Sequence, residues 1–103
     1  MMIIRQNRYT VQASYAGQNQ KHISRVVEEL RARQGTDIRY SVFVEDDGKT
    51  FLHLLFCANE EAEQAFFMLE AQQAFQAALA ASHFEVPPTM TTLHLAGATS
   101  DLL

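Results

Sequence analysis

The sequence predicts an α+β fold in which a four-stranded antiparallel sheet carries two helices on one face. Residues 8–14 and 90–96 alternate with period two, as in strands, and residues 38–44 and 50–57 are two runs rich in β-branched, aromatic and other apolar residues. Apolar residues recur at helical spacing between the first and second of these segments, and again between the third and fourth. The second and third segments are separated by only five residues, which predicts a central hairpin.

The first strand and the first helix are predicted from residues 8 to 34. The letters RYTVQAS at residues 8–14 alternate along their whole length, which is typical of a strand. Apolar residues from Ile23 to Leu30 follow helical spacing and place a helix at about residues 18–34. Gly35 is predicted to end this helix, because glycine tolerates the left-handed conformation found after many helices.

The central hairpin is the best-defined part of the pattern. Asp47-Gly48 is typical of a two-residue turn, and such a turn sets the register of the strands at residues 38–44 and 50–57. One face then carries Tyr40, Val42, Val44, Phe51, His53 and Leu55. The other carries Arg39, Ser41, Phe43, Leu52, Leu54 and Phe56. Both faces are largely apolar, so the sequence does not decide which of them is the inner one.

The second helix is predicted to begin after Asn59, a good N-cap, and to continue to about Ser82. Its first turn carries three acidic residues, which the helix dipole stabilises there, and no other role is predicted for them (Glu60, Glu61 and Glu63). The pair Gln72-Gln73 is a possible bend. Pro87-Pro88 prevents continuation of the helix, and the last strand is predicted at residues 90–96.

The order of elements is therefore strand, helix, strand, strand, helix, strand, which is the ferredoxin-like plan. We expect one domain over residues 1–103, with residues 97–103 as a tail. Two helices cover one face of a sheet, so we expect the other apolar face to pack against a second copy of the chain. Such a contact buries on the order of 700 to 1,000 Å² per chain, about 20 kcal/mol gross, which exceeds the cost of pairing.

Composition argues against several classes of protein. The net charge is −4 and the eight Lys and Arg residues are scattered, so no basic stripe is available for nucleic acid. No apolar run approaches the roughly 20 residues that span a bilayer. Arg5 and Arg8 follow the short apolar N-terminus, whereas a secretory signal places basic residues first. Cys57 is alone and is interpreted as core packing in a reducing compartment, so a cytoplasmic protein without nucleic-acid or membrane partners is predicted.

Four polar residues are candidates for chemistry in a cavity. His53 interrupts an apolar strand face and neighbours Tyr40 across the hairpin, so the two could exchange protons with a phenolic substrate if the pKa of His53 is near the working pH. His94 is predicted to line the same cavity, and Asn7 to donate a hydrogen bond to a developing oxyanion. Three of them also have a structural interpretation. His53 could be a buried hydrogen-bonded histidine, His94 a lining residue without a catalytic role, and Asn7 a residue at the start of a strand.

No cofactor or metal site is predicted. The chain has no glycine-rich loop that would hold phosphate groups. Its four histidines have no acidic partners beside them and lack the spacing of metal ligands on a helix.

Four stretches of the chain carry a resemblance to a known family. They are Asn7-Arg8-Tyr9-Thr10-Val11, the hairpin from Arg39-Tyr40 through Asp46-Asp47-Gly48 to Phe51-Leu52-His53-Leu54, Ala74-Phe75-Gln76-Ala77, and Val86-Pro87-Pro88. Over residues 5–97 the chain resembles the antibiotic biosynthesis monooxygenase family of the dimeric α+β barrel superfamily. The resemblance implies a homodimer paired through its sheets. It also implies an activity among those of the family, which include cofactor-independent oxidation of aromatic substrates, quinol oxidation and haem degradation.

The resemblance does not extend to the haem-degrading members. Asn7 matches their functional asparagine, in a similar setting. Their Trp and their haem-ligating His fall, counted from Phe75, at Leu69 and Leu79. The chain has no Trp, and a leucine cannot bind iron, so we do not expect haem degradation by that mechanism.

The leading hypothesis is a homodimeric monooxygenase that oxidises a small aromatic or quinol-type substrate without metal or flavin. A non-catalytic dimer that binds a small hydrophobic ligand is the alternative, and decarboxylation or isomerisation on the same fold is a third. The polarity of the cavity distinguishes them, because an enzyme needs at least two convergent polar side chains.

Overall fold

The structure, a computed structural model, describes all residues 1–103 and confirms the predicted fold. Its strands are β1 (Ile3–Thr10), β2 (Ile38–Val44), β3 (Thr50–Cys57) and β4 (Val86–Leu93), and its helices are α1 (Ala16–Arg33), α2 (Glu60–Met68) and α3 (Glu70–Ala80). The strands form one antiparallel sheet in the order β2-β3-β1-β4. The order of elements and of strands is that of the ferredoxin-like fold.

The β2–β3 hairpin has the predicted bounds and register, although its turn differs. The Gly48 N–H donates to the carbonyl of Glu45 at 2.9 Å, and Gly48 follows this tight turn with a φ of 74°. The Asp47 carboxylate accepts a hydrogen bond from the backbone N–H of Thr50 at 2.9 Å. The register is unchanged because a four-residue loop and a two-residue turn centred at the same place pair the same residues.

The first strand lies earlier in the chain than predicted. β1 pairs with β3 over its whole length from Ile3 to Thr10, and a short 3₁₀ turn occupies Ala13–Tyr15. The alternation at residues 8–14 therefore continues past the end of the ladder. As a result Asn7 lies inside β1, directly opposite His53, and does not start the strand.

The last strand also begins earlier than predicted, and it contains both prolines. β4 starts at Val86 and ends at Leu93, and its register against β1 shifts between Arg8 and Thr10. It lies at the edge of the sheet, where one side of the strand has no partner. The free side of this edge strand accommodates one of the two consecutive prolines, and the register shift opposite Tyr9 accommodates the other.

The first helix ends differently from the prediction, and the second is divided in two. The left-handed residue after α1 is Gln34, with a φ of 56°, and not Gly35. The predicted second helix is two helices, separated by the extended backbone of Leu69 and not bent at Gln72-Gln73. The Glu29 carboxylate of α1 accepts a hydrogen bond from the N–H of Ala71 at 2.8 Å and so caps the new helix start.

Two further predictions about packing can be compared with the structure. The Asn59 side chain accepts a hydrogen bond from the N–H of Ala62 at 2.8 Å, which confirms it as the N-cap of α2. Cys57 is fully buried in the core cluster between sheet and helices, as predicted, and its burial raises the pKa of the thiol to about 11.

The structure decides which hairpin face is inner. Phe51, His53 and Leu55 are buried beneath the helices. Leu52, Leu54 and Phe56 point to the opposite face and remain half-buried, with no helix over them. No helix in the protein combines the length and the apolar character needed to cross a bilayer.

Candidate functional site

A cavity lies between the sheet and the helices, and three of the four predicted site residues line it. It has a volume of about 30 Å³, room for about two water molecules, and it opens to solvent on one side. Six of its eleven lining residues are hydrophobic. The polar lining residues are Arg5, Asn7, His53, Gln72 and Gln76, and the others are Tyr40, Leu55, Phe66, Phe67, Phe75 and Met90.

A chain of hydrogen bonds runs from the helix layer through the core to this cavity. The Asn19 side chain of α1 donates to the hydroxyl of Tyr9 at 2.9 Å. The Tyr9 hydroxyl lies 2.7 Å from His53 Nε2, and the Tyr40 hydroxyl lies 2.7 Å from His53 Nδ1. Both nitrogens of one imidazole are therefore bonded to tyrosines, and Tyr40 connects them to the cavity.

Burial fixes the charge of this chain. It lowers the pKa of His53 to about 4, so the expectation of a pKa near the working pH is wrong. It also raises the pKa values of Tyr9 and Tyr40. At neutral pH all three groups are uncharged, so one nitrogen of His53 donates a hydrogen bond while the other accepts one.

The tautomer of His53 sets what Tyr40 offers to the cavity. With the proton on Nδ1, His53 donates to Tyr40, and the Tyr40 O–H is free to donate to a ligand. With the proton on Nε2, Tyr40 donates to His53 and its oxygen can only accept. The Asn19 amide donates to Tyr9 and leaves the Tyr9 O–H to donate to Nε2, so the observed contacts favour the first arrangement.

Asn7 lies on the floor of the cavity, inside β1 and opposite His53. Its Oδ1 atom is shielded from solvent and has no hydrogen-bond partner. Buried polar atoms without partners are rare in proteins, so this shielded oxygen is an unusual feature of the cavity floor.

His94 does not line the cavity, contrary to the prediction. β4 ends at Leu93, and His94 follows it as an exposed residue. The last strand was predicted too late in the chain, at residues 90–96. The observed strand has already ended before His94.

Arg5 also lines the cavity, although it was not among the residues predicted from the sequence. Its guanidinium binds the Glu63 carboxylate through two nitrogens, at 2.7 and 3.2 Å, and a third nitrogen bonds Thr92. Glu63 therefore does more than start a helix, since it ties α2 to β1 and β4. Side chains alternate along a strand, so Arg5 and Asn7 lie on the same face of β1. This could not be predicted, because the predicted strand began at Arg8 and did not contain Arg5.

Gln72 is the other lining residue that the sequence did not indicate. Its side chain is only 4% exposed, and its Oε1 atom has no hydrogen-bond partner. It lies among the aromatic residues of the helix wall that also line the cavity (Phe66, Phe67 and Phe75). No group of three His, Cys, Asp or Glu side chains is arranged to hold a metal ion.

Solved structures with the same fold cover nearly the whole chain. An antibiotic biosynthesis monooxygenase superposes with a TM-score of 0.77 at 14% identity, over 94% of this chain and 100% of that one. The fold is that of the antibiotic biosynthesis monooxygenases. Rv0793 from Mycobacterium tuberculosis has a TM-score of 0.79 at 14% identity, over 97% and 100% of the two chains.

A third similar structure is SnoaB of Streptomyces nogalater, a cofactor-independent oxygenase. It has a TM-score of 0.73 at 12% identity, and 97% of this chain and 98% of that chain are covered. No protein-family model matches the chain, and no curated protein matches it by sequence. At these identities the likeness concerns the fold, and activity has to be argued from the cavity.

Proposed function

We propose that this protein is a monooxygenase of the antibiotic biosynthesis monooxygenase type that oxidises a small phenolic or quinol-type substrate with O₂, without metal or flavin. The observation that carries the proposal is the convergence of Asn7, Tyr40 and His53 on one aromatic-lined cavity. A largely apolar pocket with a few convergent polar groups is the usual form of a small-molecule site.

The polar groups suit the stabilisation of a phenolate. Such a reaction starts when the substrate loses its hydroxyl proton to water at the open side of the cavity, because the anion is a far better electron donor to O₂ than the phenol is. The Tyr40 O–H and the amide N–H of Asn7 would donate hydrogen bonds to the phenolate oxygen. His53 would remain neutral and position Tyr40, since its pKa of about 4 disfavours storage of a proton on the imidazole.

The overall reaction balances without a further reductant. The phenolate transfers one electron to O₂, and the resulting radical and superoxide combine at a ring carbon to form a hydroperoxide after protonation. Loss of water from this carbon leaves a carbonyl group, so a phenol becomes a quinone. One O₂ is consumed and one water is released per substrate molecule.

The cavity has a volume of about 30 Å³, well below the roughly 300 Å³ of a typical small-molecule site, so its wall would have to open to admit even a one-ring substrate. Phe66, Phe67 and Phe75 would contact the faces and edges of such a ring.

A second copy of the chain is proposed to cover the open face of the sheet, which carries Leu52, Leu54 and Phe56. The accessible surface of 6493 Å² exceeds the roughly 5,800 Å² of a compact monomer of this mass. The radius of gyration of 13.8 Å likewise exceeds about 12.8 Å. Both differences favour a chain whose apolar surface is completed by a partner.

Oxygen uptake with a panel of phenols, hydroquinones and dihydroxynaphthalenes tests the activity. We expect uptake with at least one of them and about 100-fold slower turnover in Tyr40→Phe, which lacks the donating hydroxyl. The control is His94→Ala, outside the cavity, which should retain full turnover. Ligand binding without any oxygen uptake would reject the monooxygenase and leave the non-catalytic binder.

A further inference from the structure

We propose that the buried end of the cavity, at Gln72, is the binding site of O₂, and that the amide N–H of Gln72 stabilises the superoxide formed there. This inference rests on the proposed function, because it gives the O₂ of that reaction a place of its own, separate from the place of the ring. It makes Gln72 a catalytic residue, in contact with the reacting oxygen atoms.

Gln72 presents a hydrogen-bond donor to the cavity. The residue is 4% exposed, and its Oε1 atom is shielded from solvent and has no partner. The group that Gln72 turns towards the cavity is therefore its amide N–H. A buried amide without partners lowers the stability of a protein, so its place in a wall of phenylalanines indicates a role in binding.

The other groups around the cavity favour a ligand that accepts hydrogen bonds and carries negative charge. Asn7 also has a shielded oxygen, and so it offers a second amide N–H. No acidic side chain lines the cavity, and its one charged lining residue, Arg5, is a cation. Glu63 compensates part of this charge, but from outside the lining. A small anion would therefore find donors and no competing negative charge.

The volume of the cavity suits O₂ better than a ring. It is about 30 Å³, room for about two water molecules, and O₂ has two heavy atoms. Six of the eleven lining residues are hydrophobic, which suits neutral O₂. The amide N–H groups contribute little to the binding of neutral O₂ and much more to that of superoxide, and only such a difference accelerates a reaction.

A groove beside the cavity provides the space that the ring needs. It has a volume of about 370 Å³, within the range of small-molecule sites, about 300 to 1,000 Å³. Asn7, Phe75, Gln76 and Met90 line both spaces. Gln76 and Met90 are exposed, so movement of these two side chains would join the groove to the cavity. A phenol that enters on this side reaches Asn7 with its oxygen and leaves the end at Gln72 free for O₂.

The electron-transfer step then balances within one site. The phenolate gives one electron to the O₂ at Gln72 and becomes a radical, and the O₂ becomes superoxide. The two combine at a ring carbon, so no other oxidant or reductant is needed. Gln72 acts on the first of these steps, because a hydrogen bond to superoxide makes the transfer of the electron to O₂ more favourable.

Azide is a suitable probe for this site, because it is a small linear anion, and nitrous oxide is its neutral isostere. Calorimetry at constant ionic strength measures the binding of both to the unmodified protein. We expect azide to bind at least about tenfold more tightly than nitrous oxide, as for a hydrogen bond to a charged group. Equal affinities, or an absence of azide binding, would overturn the proposal.

Gln72→Met tests whether this residue supplies the donor. We expect its affinity for azide to fall about tenfold and its affinity for nitrous oxide to be unchanged. With an active phenol, the rate of oxygen uptake should fall about 100-fold while the affinity for the phenol is unchanged. Gln73→Met, at the exposed neighbouring position, is the matched control and should change neither property. Undiminished azide binding by a folded Gln72→Met protein would overturn the role of Gln72.

Azide as an inhibitor separates this inference from the proposed function. In oxygen uptake, azide should compete with O₂ and not with the phenol. Competition with the phenol alone would overturn the site at Gln72 and leave the monooxygenase in place. Selective azide binding without oxygen uptake from any phenol would support a small-anion site at Gln72 and reject the monooxygenase. The comparison of azide with nitrous oxide needs no variant, so it decides the question even where a substitution impairs folding.

Discussion

The two faces of β3 have similar apolar side chains but very different surroundings. On one face, Phe51, His53 and Leu55 are between 2 and 6% exposed, because α1, α2 and α3 lie over them. On the other, Leu52 and Leu54 are half-buried, and Phe43 of the neighbouring strand is 55% exposed. The chain therefore completes one face by itself and builds its cavity there, whereas the other face keeps its large apolar side chains without being enclosed.

The largest effect is expected from a charge on the open face. Leu54→Asp would place a carboxylate in the centre of the proposed dimer contact, and burying an unpaired charge costs several kcal/mol. We expect sedimentation equilibrium to show a dimer at least about 1,000-fold weaker, or no dimer. Ser41→Asp, in the same row at the edge strand, is the control and should have a much smaller effect. If sedimentation shows that the unmodified protein is a monomer, the proposed dimer contact does not exist.

Alanine substitutions distinguish the two faces by their dependence on protein concentration. Leu55→Ala removes core packing within one chain, so the free energy of unfolding should fall by about 4 kcal/mol at every concentration. Leu54→Ala should destabilise the protein by an amount that depends on concentration, because its contacts would lie between chains. Urea unfolding at several concentrations measures both, and identical behaviour of the two variants would contradict the difference between the faces.

The buried imidazole should make stability depend on pH. The pKa of His53 is about 4 in the folded protein, against 6.5 for an unperturbed histidine, so the unfolded chain binds the proton more tightly. Its contribution is fully present above pH 6.5 and is lost as the pH falls towards 4, by about 3 kcal/mol in total. Urea unfolding across this range should show the loss, and His53→Gln should lack this part of it. A His53→Gln protein with the same pH dependence would exclude His53 as its source.

The smallest effect is expected at His94. The residue is exposed and lies outside the cavity, so His94→Ala should change the free energy of unfolding by less than about 0.5 kcal/mol. Urea unfolding beside His53→Gln gives the comparison directly. A large loss of stability would mean that His94 is covered in the assembled protein.

Local patterns were sufficient for the hairpin and insufficient elsewhere. The bounds of β2 and β3 follow from two runs of strand-forming residues and from the turn between them, which are properties of neighbouring residues. The bounds of β1 and β4 depend on pairing with distant strands, and the break at Leu69 is stabilised by Glu29 from another helix. None of these is visible in a window of the sequence.

The candidate site shows the same division. Tyr40 and His53 were recognised from the strand pattern of the hairpin, and Asn7 as an amide that can donate to an oxyanion; all three line the cavity. Gln72 and Arg5 were missed because their positions depend on where α3 and β1 lie. Tyr9 and Asn19 could not be linked to His53 from the sequence, since their hydrogen bonds depend on how α1 packs against the sheet.

The two tyrosines that are bonded to His53 give the protein an intrinsic fluorescent probe. The chain contains three Tyr and no Trp, so its near-ultraviolet emission comes from tyrosine alone. Tyr9 and Tyr40 both contact His53, and Tyr40 borders the cavity. Entry of a colourless guest should therefore change the emission directly, and occupancy can be followed without attaching any dye.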